Sequence, residues 1–340
     1  MKAAILGLPG AGRKTLMAAL GAGVEPHLLA GKRTVRPIRV PDERVDQLSE
    51  SFHPEKTTYA QVEMVLDDSS TESHAKRLQA VRNHEVLVLV ADAFGLGDDS
   101  AQSALDDLDQ MLDEMLLADL MIVEKRVDFF SRRGEKGQEP KLFDRIHAAL
   151  NEGRSLRALP LIDAELKLLS PYSFLTLKPL LAVLNVEEEE LANPAWAEAR
   201  RQVRAKGAEP VVLCALLESE VASLPAEERM EFIQELGMES PASHRLVQAI
   251  YSALDLISFF TVGEDEVRAW TTRRGDPAPI AGGRIHSDIQ RGFIRAEVVS
   301  YEHFMLTGSL AAARKTGRLR TEGKTYIIND GDISHFLFNV

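Results

Sequence analysis

Gly7-Leu8-Pro9-Gly10-Ala11-Gly12-Arg13-Lys14-Thr15 sets two glycines at the spacing of a phosphate-binding loop, between an apolar run and the segment Leu16-Met17-Ala18-Ala19-Leu20. In such a loop, written G-x-x-x-x-G-K-[ST], backbone N–H groups wrap phosphate oxygens and the following helix N-terminus faces the same anion. The spelling departs at the two positions where side chains do the chemistry. Arg13 stands in the lysine position and keeps its charge, while Lys14 stands where a hydroxyl would coordinate Mg²⁺. A one-residue step at a helix start turns a side chain by about 100° and lifts it about 1.5 Å, so Lys14 does not simply replace the missing lysine. An ammonium has no lone pair to offer a cation; Thr15 is the candidate metal contact of the loop. Gly7, Pro9, Gly10, Ala11, Gly12, Arg13, Lys14 and Thr15 are therefore candidate nucleotide contacts. A glycine-rich strand-to-helix turn with no ligand is the alternative.

Other chemistry-bearing residues form weaker patterns. His286 and Asp288 lie two apart on an expected strand and could share a face, but two ligands are too few for a metal and a hydrogen-bonded pair is the simpler reading. His74 and His84 are isolated, and no Ser-His-Asp or Cys-His arrangement can be argued. Cys214 is the single cysteine, so no internal disulfide forms and a reducing compartment fits. No apolar run approaches the about 20 residues of a membrane span, and the N-terminus enters a strand directly; a cytoplasmic location is expected.

The net charge of the 340 residues is −12, yet from Leu256 onward eleven Lys/Arg stand against ten Asp/Glu. Arg268, Arg273, Arg274, Arg284, Arg291 and Arg295 cluster with only Asp276 and Asp288 as acidic company within that stretch, and Arg314, Lys315, Arg318, Arg320 and Lys324 form a second group. A solvated surface explains this, and so does a contact site for a phosphate backbone on one basic module of an acidic protein. Arg268, Arg273, Arg274, Arg291 and Arg295 are the candidate RNA-binding residues.

The elements that must position these groups alternate. Lys2 to Leu6, Val62 to Leu66, Glu85 to Ala91, Lys178 to Asn185 and Pro210 to Ala215 read as strands of a parallel sheet covered on both faces, with Arg13 to Leu20 a helix. From about Ser100 to Leu169 the pattern is helical and charged, with a polar tip at Arg133 to Pro140. It predicts an antiparallel helical hairpin inserted in the α/β domain. Beyond Leu256, Phe259 to Val262, Val267 to Thr271, Ile294 to Val299 and Tyr326 to Ile328 read as short strands, Leu310 to Thr316 as a helix, and Asp330-Gly331-Asp332 as a tight turn. The divisions expected are 1–118 and 178–255 for the α/β domain, 119–177 for the hairpin and 256–340 for a small α+β module.

Phe259-Phe260-Thr261, Arg268-Ala269-Trp270-Thr271, Gly283-Arg284-Ile285-His286-Ser287-Asp288, Gly292-Phe293-Ile294-Arg295-Ala296-Glu297-Val298 and Gly323-Lys324-Thr325-Tyr326, together with Val123-Glu124-Lys125-Arg126 upstream, give the chain a specific likeness. It resembles, over essentially its whole length, the YchF subfamily of Obg-related, ribosome-associated P-loop NTPases. The resemblance implies a P-loop sheet domain, the inserted hairpin, and a C-terminal TGS domain with a ubiquitin-like β-grasp. It implies ATP or GTP as ligand and a ribosome or RNA as partner. Asn185-Val186-Glu187-Glu188 matches the family's N-x-x-E, in which the longer Glu188 is associated with accepting ATP as well as or better than GTP; an acidic helix start is the alternative reading. Cys214-Ala215 falls where a Ser-Ala loop would lie beside the base.

On the phosphate side the family's D-x-x-G corresponds to Asp67-Asp68-Ser69-Ser70, where Asp67 would join the metal shell and no glycine follows. Thr71 to Arg77 replaces a glycine-rich switch, and Thr34-Val35-Arg36-Pro37 runs almost at once into Val40 to Arg44. Losing one phosphate-stabilising group costs about 2.7–4 kcal/mol, or about 100- to 1000-fold in rate. With three such groups altered, the expectation is nucleotide binding with weak or absent hydrolysis and a doubtful role for Mg²⁺. The alternative is a nucleotide-independent scaffold that meets ribosome or RNA through the C-terminal domain and hairpin.

Overall fold

The structure, a computed structural model, describes residues 1–21, 26–29, 31, 33–68, 74–95, 97–235 and 240–339. The chain opens with β1 (Lys2–Gly7), α1 (Arg13–Leu20), β2 (Arg33–Arg39), α2 (Glu43–Phe52), β3 (Lys56–Thr58), β4 (Gln61–Asp67) and α3 (His74–Val81). It continues through β5 (Val86–Ala93), the long α4 (Ser100–Arg133), α5 (Gln138–Asn151), α6 (Asp163–Leu169), β6 (Leu180–Val186), α7 (Ala195–Ala205), β7 (Glu209–Leu213), α8 (Ala215–Ser223), α9 (Ala226–Glu235) and α10 (Ala242–Ala253). The last stretch comprises β8 (Leu256–Thr261), β9 (Glu266–Arg273), α11 (Ala278–Ile285), α12 (Ser287–Gly292), β10 (Phe293–Ser300), α13 (Tyr301–Thr307), α14 (Leu310–Lys315), β11 (Arg320–Glu322) and β12 (Asp332–Phe338).

Two compact units result, one of Met1–Pro37 with Glu63–Leu246 and one of Ile38–Val62 with Val247–Val340. In the first, strands run in the order β2-β4-β1-β5-β6-β7, and β4, β1, β5, β6 and β7 pair in parallel. The apolar strands are buried on both faces: β6 reads Leu-Leu-Ala-Val-Leu-Asn-Val with every residue buried. Because β1 lies between β4 and β5, the direction of strand addition reverses there. In open parallel sheets the crevice at such a reversal, outside the carboxyl ends of the strands, is where ligands bind.

The helical region differs from the expected insertion in its start. α4 is one continuous helix of 34 residues, about 50 Å long at about 1.5 Å per residue. Its first half, through Ala104, Leu108, Met111 and Met115, packs on the sheet, and its second half, through Val123 and Phe130, packs with Phe143 and Ile146 of α5. No break separates the two at residue 119. Asp119 is instead the fully buried pivot, accepting from Arg82 (2.7 Å) and from Thr176 through both backbone N–H (2.7 Å) and hydroxyl (2.8 Å). Gly134, at φ 62°, closes the helix before the tip.

The second unit is a sheet ordered β11-β10-β12-β8-β9-β3. One face carries Phe259, Phe293, Val298 and Phe336 against Ala278, Ala281 and Ile289 of α11 and α12. On β8, Phe260 is buried beneath the Arg44 guanidinium of α2, 5.2 Å from the ring centre. Residues 38–62, counted with the N-terminal domain in the sequence, thus belong here: β3 pairs in parallel with β9, Lys56 opposite Glu266 through Thr58 opposite Arg268. Two further expectations are corrected. Tyr326 to Ile328 is not a strand but an isolated bridge, Ile327 opposite Pro277, with Ala278 N–H donating to the Tyr326 carbonyl and Ile328 N–H to the Asp276 carbonyl; a turn follows at once, Asn329 N–H donating to Asp332. His286 is not on a strand either; it caps α12, its Nδ1 accepting from Asp288 N–H at 3.2 Å. Among the described residues no helix is long and apolar enough to cross a membrane.

Candidate functional site

The carboxyl ends of β1, β4, β6 and β7 deliver the sequence-predicted residues to one crevice of the first unit. From β1 the chain turns through Gly10 and Gly12, at φ 96° and 88°, conformations that side chains rarely adopt. Gly12 has a second reason to lack a side chain, because a Cβ there would come 2.4 Å from Asn185 Nδ2. Gly7 is required by close approach, its Cβ position lying 2.7 Å from the Val90 carbonyl. Then α1 begins with no side-chain cap, so its first N–H groups keep their capacity for an acceptor.

Asn185, at the end of β6, ties three loops together. Its Nδ2 donates to the Ala11 carbonyl (3.2 Å) and its Oδ1 accepts from Ala215 N–H (2.9 Å), all three residues being buried. Cys214 caps α8 as a serine would: its Sγ accepts from Leu217 N–H at 3.5 Å, and burial pushes the thiol pKa up, away from the reactive thiolate. Glu188 is exposed in the turn after β6, open to a ligand or to solvent. Asn185, Cys214 and Ala215 are therefore brought to the glycine loop, and Glu188 stands at the margin.

The phosphate side is arranged around a residue the sequence reading passed over. Arg13 Nη2 donates to Asp68 Oδ1 (3.3 Å), Lys14 Nζ lies 3.6 Å from Asp68 Oδ2, and Gly31 N–H donates to Oδ2 (3.3 Å). Burial lowers the Arg13 pKa, Asp68 opposes that effect, and the charge of Arg77 on α3 adds to it. Asp67 was the expected metal ligand; the cations converge on its neighbour. The only signal for this was the acidic doublet at the end of β4, and strand alternation does not say which of two terminal residues turns to the loop. Ser69 and Ser70 of the D-x-x-G counterpart and 71–73 of the expected switch lie outside the described residues.

For Mg²⁺ the donor set does not fit the familiar pattern. The position of the metal-binding hydroxyl is an ammonium paired with Asp68, and Thr15 follows within the first turn of α1. A nucleotide fits better, through the open glycine loop, the uncapped N–H groups and the Asn185-anchored base side.

The candidate RNA-binding arginines divide by partner. Arg268 lies over Trp270 (3.9 Å) and 3.9 Å from Glu266, Arg274 donates to Asp255 (3.1 Å), and Arg291 is paired with Asp288. Arg273 and Arg295 are exposed and, among the described residues, have no carboxylate partner within ion-pair distance.

Comparison with known proteins gives the lineage of this arrangement. A "Ribosome-binding ATPase YchF" of Bacillus subtilis is 35% identical over 366 residues, covering 100% of both chains. The chain belongs to the YchF family. The Haemophilus influenzae protein of the same description is 36% identical over 363 residues, with 100% of this chain and 99% of that one covered. The family model described as "YchF-GTPase_C: Protein of unknown function (DUF933)" matches residues 256–339. Among solved structures, the Schizosaccharomyces pombe YchF GTPase superposes with a TM-score of 0.86 at 26% identity, covering 99% of this chain and 97% of that one. The mixed α/β architecture, with its parallel sheet, helical region and C-terminal sheet domain, is that of the YchF proteins.

Proposed function

We propose that this YchF chain is a nucleotide-binding, ribosome-associated protein of the cytoplasm that binds ATP or GTP in the 7–15 loop and hydrolyses it weakly or not at all. The observation that carries the reading is a split within one crevice. The glycine turns and the Asn185 tie that shape a nucleotide site are intact, while the side chains that would stabilise a transferring phosphoryl group are replaced by Arg13 and Lys14. Phosphoryl transfer depends on positioning and on cationic stabilisation of the phosphates, usually with Mg²⁺ bridging them. Here Arg13, Lys14 and the α1 N–H groups are the cationic and dipolar elements, Asn185 and the 214–215 turn shape the base side, and Glu188 is the candidate base reader. The C-terminal domain, read as TGS, and the helical hairpin supply the ribosome-facing surfaces.

Calorimetric titration with ATP, GTP and ADP, each with and without Mg²⁺, tests binding. A hydrolysis assay beside the Arg13→Lys/Lys14→Ser variant tests chemistry. The expected result is measurable affinity that changes little on adding Mg²⁺, and turnover that rises in the variant; wild-type turnover equal to the variant's overturns the proposal on hydrolysis. A nucleotide-independent scaffold is the second reading, favoured by the pairing of both loop cations with Asp68, and absence of binding at millimolar nucleotide leaves it standing alone.

A further inference from the structure

We infer that Asp68 is the internal counter-anion of the phosphate site: its carboxylate holds the place of a ligand oxyanion, and a nucleotide phosphate binds by exchanging with it, without a metal ion. The inference rests on the proposal that nucleotide binds the 7–15 loop.

Asp68 is mostly buried, with 15% of its side chain exposed, and each of its two oxygens faces its own cation, Oδ1 toward Arg13 and Oδ2 toward Lys14. Oδ2 also accepts from a backbone N–H, that of Gly31. Side-chain cations and a backbone amide around two oxygens of one anionic group are the donor set a terminal phosphate takes. Among the described residues, the surroundings carry more positive charge than a single aspartate offsets. Arg77 adds a third cation, and a second guanidinium, to the field around Arg13, and its Nε is buried with no hydrogen-bond partner among the described residues. Asp67, whose charge also reaches Arg13, offsets part of this.

Lys14 gives the arrangement its independence from metal. An ammonium cannot coordinate a cation, but it can neutralise a phosphate oxygen directly. With Asp68 in place the two loop cations are already satisfied, so an incoming phosphate must displace a carboxylate and then sit near it. Both effects weaken binding, and neutralising residue 68 removes both. Exchange also has a conformational consequence, because Gly31 loses its acceptor when Asp68 leaves.

The experiment titrates inorganic tripolyphosphate and ATP, both in EDTA, into the full-length wild type, Asp68→Asn and Asp68→Ser, with thermal unfolding confirming that each variant is folded. Asp68→Asn is near-isosteric and Asp68→Ser guards against an adverse effect of the amide. The expected result is affinity tightened by about tenfold or more in both variants, a factor equivalent to about 1.4 kcal/mol. Adding Lys14→Gln to Asp68→Asn should cancel most of the gain. Hydrogen exchange at the Gly31 amide should accelerate on adding tripolyphosphate to the wild type and be fast in Asp68→Asn from the start. If the wild type binds and neither variant tightens, Asp68 is not the counter-anion and the nucleotide reading survives. If no chain binds either probe at millimolar concentration, the nucleotide reading falls and this inference with it.

Discussion

Asn185 offers the sharpest test of how the nucleotide side of the crevice is built. Its side chain makes one bond to the glycine loop at Ala11 and one to the α8 turn at Ala215, where both partners are only 1% exposed. Asn185→Ala removes two hydrogen bonds, each contributing about 0.5–1.5 kcal/mol net, and strands a carbonyl and an N–H that water cannot readily reach, at about 1–3 kcal/mol for a buried unsatisfied group. A loss of about 2–4 kcal/mol is expected. For a unit of this size that lowers its thermal transition by roughly 5–15 °C. Asn185→Asp is the more demanding variant, since it preserves shape and the acceptor for Ala215 but sets a carboxylate oxygen against the Ala11 carbonyl, 3.2 Å away. It should cost at least as much as alanine, because a buried charge facing an acceptor has no compensation.

The same contact predicts a coupling. Gly12→Ala places a methyl 2.4 Å from Asn185 Nδ2 and also adopts a positive φ, so it should cost less beyond Asn185→Ala than in the wild type. Thermal and urea unfolding of the three single variants and the double variant measure these terms, with hydrogen exchange at Ala215 as the local readout. An Asn185→Asp protein within about 0.5 kcal/mol of wild type would refute the reasoning, since surface-like tolerance is incompatible with a buried two-way bridge.

The second unit carries the remaining predictions. Burial raises the Asp332 pKa above its usual value although Asn329 N–H and the Tyr326 hydroxyl pull it down, so the native state retains that proton longer than the unfolded chain. The stability it contributes is full below about pH 3.9 and is lost as pH rises through the raised native value; the stability of wild type relative to Asp332→Asn should fall across that window in urea unfolding from pH 3 to 7. For RNA or ribosome binding, Arg295→Gln should reduce the slope of log affinity against log salt by about 1, whereas Arg291→Gln should reduce it less because Asp288 already neutralises Arg291. Equal slopes for the two variants would remove the distinction between paired and unpaired arginines.

What could be read in the chain follows from how local each signal is. The parallel strands were legible because burial on both faces forces continuous apolar runs, as in Val86–Ala93 and Leu180–Val186. Placing α2 and β3 was not: Lys56, Thr57 and Thr58 form a short polar strand whose partner β9 lies about two hundred residues away, and nothing in a local window encodes that pairing. The α2 start did leave a trace, Asp42 ahead of Val45 and Leu48, and Asp42 does accept from Arg44 N–H as a cap. Tyr326 to Ile328 has the β-branched and aromatic composition of a strand, yet Asn329 and Asp332 bind their own backbone neighbourhood and turn the chain first. In the candidate site the glycines were legible because each answers a backbone requirement, whereas Asn185 and Cys214 were legible only through the likeness to the family's motifs. The partner of Arg13 and Lys14 was not, since Asp67 and Asp68 differ only in the direction each faces at the strand end.

Family membership rests on the fold, whereas the phosphate chemistry proposed for this chain turns on that carboxylate. Identity of 35% over the full chain carries the sheet, the reversal at β1 and the loop that follows it, because these depend on many residues and tolerate change at any one. Treatment of a phosphate depends on a few charges, and in this chain three of them, Arg13, Lys14 and Asp68, are paired with one another. A lysine and a hydroxyl in the loop would present one cation and one metal ligand, and a neutral residue at 68 would leave both to the substrate. Arg13 and Lys14 without an anion between them would instead place two positive charges at the positive end of a helix, an arrangement that destabilises the folded loop. Asp68 offsets that charge, bridging to both side chains and to the Gly31 N–H. Arg13, Lys14 and Asp68 therefore form one electrostatic unit. Restoring Arg13→Lys and Lys14→Ser alone leaves Asp68 facing a single lysine, so full recovery of phosphate binding in that repaired loop should require neutralising Asp68 as well.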